Sequence, residues 1–389
     1  MPGEEDRAQA TPGERRVGAE EMPRVVFTRR RLLFSALFVI SIVAFLYFVL
    51  PKLLGLRTTW HRIERGDPWL LVLGLGLEVL SFFGYVALFR AVFVKSAGAD
   101  SIGDSAGAES PSKIGWRESY EITMSGLAAT RLFASAGAGG IALTAWALRR
   151  SGLEPRIVAC RMIAFLALLY GVYMATLVLD GLGLYIGVFP GSAPFAITVV
   201  PAIFGAVVIA LFLSVSLLPG DLERFVARGT SAEHFGGRLA RRLAAVPAAA
   251  ASGVRTAIAL VRSRDPFLLG AIAWWAFDIA VLWTSFRAFG ASPPTAVVVM
   301  SYFVGMVGNT LPLPGGIGGV DGGMIGAFSA FGIPVGTSVV AVLAYRFIAF
   351  WLPTLPGGVA YLQLRKTVRR WESADAGSEA PKPSLHLLK

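Results

Sequence analysis

Between two apolar segments the chain runs Asn309-Thr-Leu-Pro-Leu-Pro-Gly-Gly-Ile-Gly-Gly-Val-Asp321, where two prolines and four glycines break any regular helix. Irregular backbone at membrane depth is tolerated only where protein or a water-filled cavity satisfies its N–H and C=O groups. The interruption therefore predicts a binding cavity within the bilayer. It has a counterpart: Gly137-Ala-Gly-Gly-Ile141 aligns with Gly316-Ile-Gly-Gly-Val320 at an offset of 179 residues (137 to 316). Downstream, Arg161-Met-Ile-Ala-Phe165 aligns with Arg346-Phe-Ile-Ala-Phe350 at an offset of 185 (161 to 346). Interrupted hydrophobic segments at corresponding places in two halves point to a transporter's substrate site.

That reading requires a membrane, and composition supplies it. Hydrophobic residues make up 55% of the chain, charged residues only 16%, and the mean hydropathy is +0.63. A soluble domain carries about a quarter charged residues. The fold class expected is all-α, a polytopic helical membrane protein. The net charge of +11 does not indicate nucleic acid, because the Lys and Arg residues lie in loops beside apolar spans, as the positive-inside rule requires. Cys160 is the single cysteine, and His61, His234 and His386 are far apart, so neither an intrachain disulfide nor a Cys/His metal site is expected, and no cofactor.

Six apolar runs are candidate crossings: Leu32–Leu50, Pro68–Phe89, Met162–Leu179, Phe195–Leu218, Phe267–Phe286 and Val339–Tyr361. Each is long enough, or nearly so, for the roughly 30 Å hydrocarbon core. A disordered cytoplasmic tail is expected over 1–31 and another over 366–389, around a membrane domain of 32–365 with halves 32–218 and 219–365. The loop 219–266 holds eight arginines and reads as a basic cytoplasmic loop: either an ordinary positive-inside loop or, from 238 to 262, an amphipathic helix along the inner surface that recruits anionic lipid. Counting basic residues puts both termini inside a cell membrane, with 180–194 and 290–336 outside; the basic loop 51–67 dissents. Six crossings then require two re-entrant or paired short segments entering from opposite faces, related as an inverted repeat.

A charge inside hydrocarbon costs about 2.5–3.5 kcal/mol on insertion scales, so Glu78, Arg131, Arg161, Asp278, Asp321 and Arg346 call for a reason. Arg161 and Arg346 recur just past the two tips. A guanidinium suits a phosphate through its bidentate fork, and helix N-termini at the tips would add N–H donors. The expected substrate-binding set is Arg161, Arg346, Arg131, Asn309 and Asp321, with the tip glycines Gly137, Gly139, Gly140, Gly315, Gly316, Gly318 and Gly319. Asp278 and Asp321 are candidate ion carriers. Two competing readings stand beside this one: the arginines pair with Glu78, Asp278 and Asp321 only to hold helices, and the glycines serve close helix packing. No nucleophilic triad or Walker loop is present, so the chain is not expected to be an enzyme.

Pro312-Leu-Pro-Gly-Gly-Ile-Gly-Gly-Val-Asp321, Gly332-Ile-Pro and Tyr345-Arg-Phe-Ile-Ala-Phe-Trp-Leu-Pro353, with Gly137 to Arg150 in the first half, resemble the lysylphosphatidylglycerol synthase transmembrane (flippase-like) family over about residues 32–365. The resemblance implies a membrane domain that moves aminoacylated phosphatidylglycerol or a related lipid between leaflets. In two-part members a soluble domain makes that lipid; here the resemblance implies a separate lipid-modifying enzyme as partner. The family's usual glutamate after the tip is Asp321 in this chain. The function expected is a flippase for an anionic phospholipid or a polyprenyl-phosphate carrier. A membrane glycosyl- or aminoacyl-transferase, or a regulatory partner of an envelope enzyme, are the other readings.

Overall fold

The computed structural model describes residues 66–95, 113–132, 138–217, 250–311 and 316–378. The expected span Leu32–Leu50, the tail 1–31, residues 379–389, most of the basic loop and part of each tip (133–137 and 312–315, with Gly137 and Gly315) lie outside them. The described helices are α1 (Pro68–Arg90), α2 (Trp116–Leu132), α3 (Ala138–Arg150), α4 (Pro155–Tyr185), α5 (Phe195–Ser216), α6 (250–263), α7 (Gly270–Ala288), α8 (Thr295–Met306), α9 (Gly319–Ala330), α10 (Val335–Arg346) and α11 (Leu352–Ser378). Among the described residues, five helical stretches are long and apolar enough to cross a membrane: Pro68–Lys95, Pro155–Tyr185, Phe195–Val215, Pro266–Ala288 and Val335–Ala374. They coincide with five of the six expected crossings.

Two helices that pack closely against each other start alike. Asp67 accepts from the N–H of Trp69 at 2.9 Å with Pro68 at the first helical position, and Asp265 accepts from Phe267 at 2.9 Å behind Pro266. A capping carboxylate followed by a proline that needs no N–H partner is a strong start signal. The resulting helices, α1 and α7, pack antiparallel: Gly74 lies by Thr284, and ten residues on Gly84 lies by Ala273. Their backbones cross at Gly84 and Gly270, where a Cβ on Gly270 would come 2.2 Å from the Gly84 carbonyl oxygen. The Ser81 hydroxyl donates across this crossing to the Trp274 carbonyl at 2.8 Å.

Both interrupted segments are pairs of short antiparallel helices. In α2 and α3, Gly126 faces Thr144 and Gly140 faces Thr130; in the second pair, Gly305 of α8 faces Gly323 of α9, and Gly308, in the 3-10 turn Val307–Thr310 that follows α8, faces Gly319. Gly126, Gly140 and Thr144 shift by 179 residues onto Gly305, Gly319 and Gly323, so the repeat extends to the packing of each pair. Glycine is required where the backbones meet, since a Cβ on Gly140 would lie 2.4 Å from the Gly126 carbonyl oxygen and 2.1 Å from the Thr130 hydroxyl. Gly140→Ala should therefore destabilise the protein by about 1–3 kcal/mol, the usual cost of overpacking, read as a lowered thermal midpoint in detergent. A midpoint equal to wild type would contradict this packing.

Two differences from expectation concern boundaries. Helix α4 begins at Pro155 rather than near Met162, because a proline at the first position sets the start while Arg156 and Arg161 are carried inside the helix. Helix α11 runs on to Ser378, so the stretch 366–378 of the expected tail is helical. Thr367 donates to Glu121 on α2 at 2.7 Å and Arg150 pairs with Glu372 at 2.9 Å, fastening this end to the first hairpin. In the basic loop, α6 buries Ala251, Val254 and Ala257 and meets α4 at Gly253, beside Ile163.

Candidate functional site

The second hairpin places a carboxylate at the start of α9. Gly318 has φ +82°, a conformation glycine adopts freely, and its N–H donates to Asp321 Oδ2 at 2.9 Å. Asp321 thus occupies the first turn, where the helix dipole favours an anion. Its Oδ1 meets Arg346 Nε at 2.7 Å, with the two side chains 6% and 7% exposed. Arg346 ends α10, and its guanidinium also lies over the Phe350 ring, 4.4 Å from the centroid.

Beyond Arg346 the helix widens into a π turn, Phe347–Trp351, before Pro353. Proline has no N–H to return to the carbonyl four residues earlier, here Ala349. Arg131, at the end of α2, supplies the donor: Nη2 bonds the Ala349 carbonyl at 2.9 Å and Nη1 the Phe350 carbonyl at 3.3 Å. Its charge also faces Glu78 and Asp278, and it lies close enough to Arg346 for the two to repel. Glu78 and Asp278 lie at facing positions of α1 and α7, between the contact of Gly74 with Thr284 and that of Gly84 with Ala273. Asp278 Oδ2 accepts from the Tyr302 hydroxyl and, at 3.0 Å, from the Tyr345 hydroxyl. All these groups except Arg131 are buried, Glu78 at 2% exposure and Asp278 at 7%.

Of the residues expected at the site, the fold gathers Arg131, Arg346, Asp278 and Asp321 into this cluster. Arg161 is also buried but donates to the carbonyl of Phe93 at 3.3 Å, in the other π turn, Ala91–Lys95. Asn309 is exposed, with its Nδ2 3.2 Å from Met306 Sδ, and covers Gly316. Gly140 and Gly319 lie in the hairpin contacts, Gly139 sits beside Gly140 on α3, and Gly316 and Gly318 adopt positive φ at the tip. The competing readings raised by the sequence thus hold in part: Arg346 pairs with Asp321, and the hairpin glycines pack backbones. The sequence reading missed Tyr302 and Tyr345 and gave Glu78 only the part of an arginine partner that holds helices together. The signal lay in Asp67-Pro68-Trp69 and Asp265-Pro266-Phe267, which align α1 with α7 and bring Glu78 and Asp278 to similar depth.

An apolar groove of about 470 Å³ opens between α4, α7 and α8, walled by Val172, Thr176, Ile272, Trp275, Trp283 and Phe303. From Ile272 to Trp283 it follows α7 for 11 residues, about 16 Å at 1.5 Å per residue. Trp275 separates it from the cluster: its ring packs edge-on against Tyr302, and its N–H donates to the Leu169 carbonyl at 2.7 Å.

Residues 32–357 match the family model described as the lysylphosphatidylglycerol synthase TM region. A UPF0104 membrane protein of Methanothermobacter thermautotrophicus is 24% identical over 342 residues, covering 84% of this chain and 94% of the relative. Another match to a UPF0104 membrane protein of that organism is 33% identical over 110 residues, 27% of this chain and 31% of the relative. One from Methanocaldococcus jannaschii is 31% identical over 93 residues, 24% of this chain and 28% of the relative.

Proposed function

This chain belongs to the family of the lysylphosphatidylglycerol synthase TM region, and from that premise we propose that it moves a lipid with an anionic headgroup between the leaflets of the cell membrane. The lipid is phosphatidylglycerol, an aminoacylated derivative or a polyprenyl phosphate, which share the phosphate that a guanidinium fork recognises. The observation that carries this reading is the buried Arg346–Asp321 pair at the base of a broken hairpin, with Arg131 beside it. A guanidinium held by a carboxylate can exchange it for a phosphate of similar geometry, while Asp321 keeps the Gly318 N–H. The groove beside the cluster, within the roughly 300–1,000 Å³ range of ligand sites, takes an acyl or prenyl chain as the headgroup passes.

The test is headgroup exposure in reconstituted vesicles, with labelled phosphatidylglycerol and a membrane-impermeant quencher. Arg346→Lys keeps the charge and loses the fork, so lipid movement should fall about tenfold or more, equivalent to 1.4 kcal/mol or more of lost phosphate contact. Movement at the wild-type rate in this variant would remove Arg346 from the pathway. A second variant probes the groove: Thr176→Trp should slow lipids with long chains and spare a short-chain analogue. Equal slowing of both would leave the groove without a part in transport.

A further inference from the structure

The buried carboxyls of Glu78 and Asp278 are not needed to bind a phosphate and would repel one. We propose that Glu78 and Asp278 form one proton-binding site, and that proton binding there couples lipid movement to a proton gradient. The inference deepens the lipid-transport reading and rests on it for the coupling, though not for the site.

The geometry is that of an incomplete hydrogen bond. Glu78 is 2% exposed, and its Oε2 has no hydrogen-bond donor among the described residues. Across the α1–α7 contact, between the Gly74–Thr284 and Gly84–Ala273 approaches, the facing group is another carboxyl, that of Asp278. Two carboxylates are acceptors only, so they bond to each other when one proton lies between them, and like charges this close do not both ionise readily.

The surroundings leave room for one positive charge and specify its kind. Facing the pair are Arg131 from α2, Tyr302 from α8 and Tyr345 from α10; one step out, Arg346 of α10 lies near Arg131 and Tyr345, Tyr85 of α1 near Arg131, and Tyr170 of α4 near Tyr85. Arg346 is paired with Asp321. Arg131 is the remaining cation against two carboxyls, so the set carries one net negative charge until a proton neutralises it. A metal cation would need several free oxygens, but both tyrosine hydroxyls turn their protons toward Asp278 Oδ2, which leaves Glu78 Oε2 as the unspent acceptor. A proton satisfies that oxygen alone.

The consequence for transport follows from charge. With the pair deprotonated, Arg131 is engaged by Glu78 and Asp278; with a proton bound, one of its two counter-charges is gone, and an anionic headgroup entering beside Arg131 and Arg346 meets a less negative cluster. Proton and phosphate would therefore enter together. Intramembrane carboxyls in such positions serve as proton relays in other transporters.

Two measurements separate the site from the coupling. In purified protein in lipid nanodiscs, infrared difference spectra over a pH titration should show a protonated carboxyl C=O band that disappears in Glu78→Gln and changes in Asp278→Asn. In vesicles, the same wild-type protein should move labelled phosphatidylglycerol several-fold faster when a pH gradient is imposed, with uptake of protons read by a lumenal dye, and Glu78→Gln should lose the response to the gradient. Absence of the band at every pH overturns the proton site. Lipid movement indifferent to the pH gradient, or driven by a sodium gradient instead, overturns the coupling and leaves lipid transport standing. A carboxyl band with no lipid movement under any gradient overturns the transport reading and the coupling with it, while the site stands.

Discussion

Asp321→Asn and Arg346→Met are each expected to lower stability by about 3–5 kcal/mol, whereas the double variant recovers most of that loss. The reason lies in burial. With 6% and 7% of the two side chains exposed, removing either partner strands a charge that water does not reach. Removing both leaves no stranded charge, and the desolvation that the pair had to overcome disappears as well. Asn keeps a carbonyl oxygen to accept the Gly318 N–H, so the cap of α9 survives in the single and the double variant. Chemical or thermal denaturation in detergent gives the cycle, and a coupling energy near zero, with the two single losses simply adding, would show that the pair does not hold the hairpin to α10. The double variant should be folded but should not move lipid, which separates the pair's structural part from its part in transport.

The contrast between what the chain's letters reveal and what they hide is clear around this pair. The broken tips are legible because proline and glycine act locally: two prolines and four glycines between apolar runs end a helix whatever surrounds them. The crossings are legible for a similar reason, since length and apolarity are properties of a segment alone. Pairing is not local. That Arg346 meets Asp321 depends on α10 folding back beside α9, and Asp321 and Arg346 are 25 residues apart with a turn at Gly332 between them. The match between Arg161 and Arg346 is real in sequence, yet the first donates to the Phe93 carbonyl while the second binds a carboxylate. The first hairpin has Thr144 and the second Gly323 at equivalent places, so the two halves have diverged in detail while keeping their packing. Glu78 was the hardest to read, because its partner Asp278 lies on a helix whose equivalence to α1 rests on two short caps, and those caps fall outside the segments where the repeat is obvious.

Arg131→Leu should be among the most damaging single substitutions in the membrane domain, costing about 4 kcal/mol or more, because one side chain serves two needs. Without it the Ala349 carbonyl loses the guanidinium donor, a loss of about 1–3 kcal/mol for a buried polar group. The carboxyls of Glu78 and Asp278 also lose their counter-charge, and stranding buried charge costs more than leaving one carbonyl unbonded. The two contributions can be separated by changing the proline that creates the first need. Arg131→Lys keeps a positive charge near the carboxyls but has a single compact head in place of the fork that reaches both carbonyls. Pro353→Ala returns an N–H to Ala349 through the ordinary i to i−4 bond. In the Arg131→Lys background this change should restore about 1 kcal/mol; in the wild-type background, where the guanidinium already occupies the carbonyl, it should add little. The same substitution should also close the π turn Phe347–Trp351 toward α-helix, shifting Arg346 relative to Asp321, so lipid movement should fall even where stability rises. Equal effects of Pro353→Ala in both backgrounds would mean that Arg131 and the proline act independently, and that Arg131 is held at the end of α2 by its charge alone.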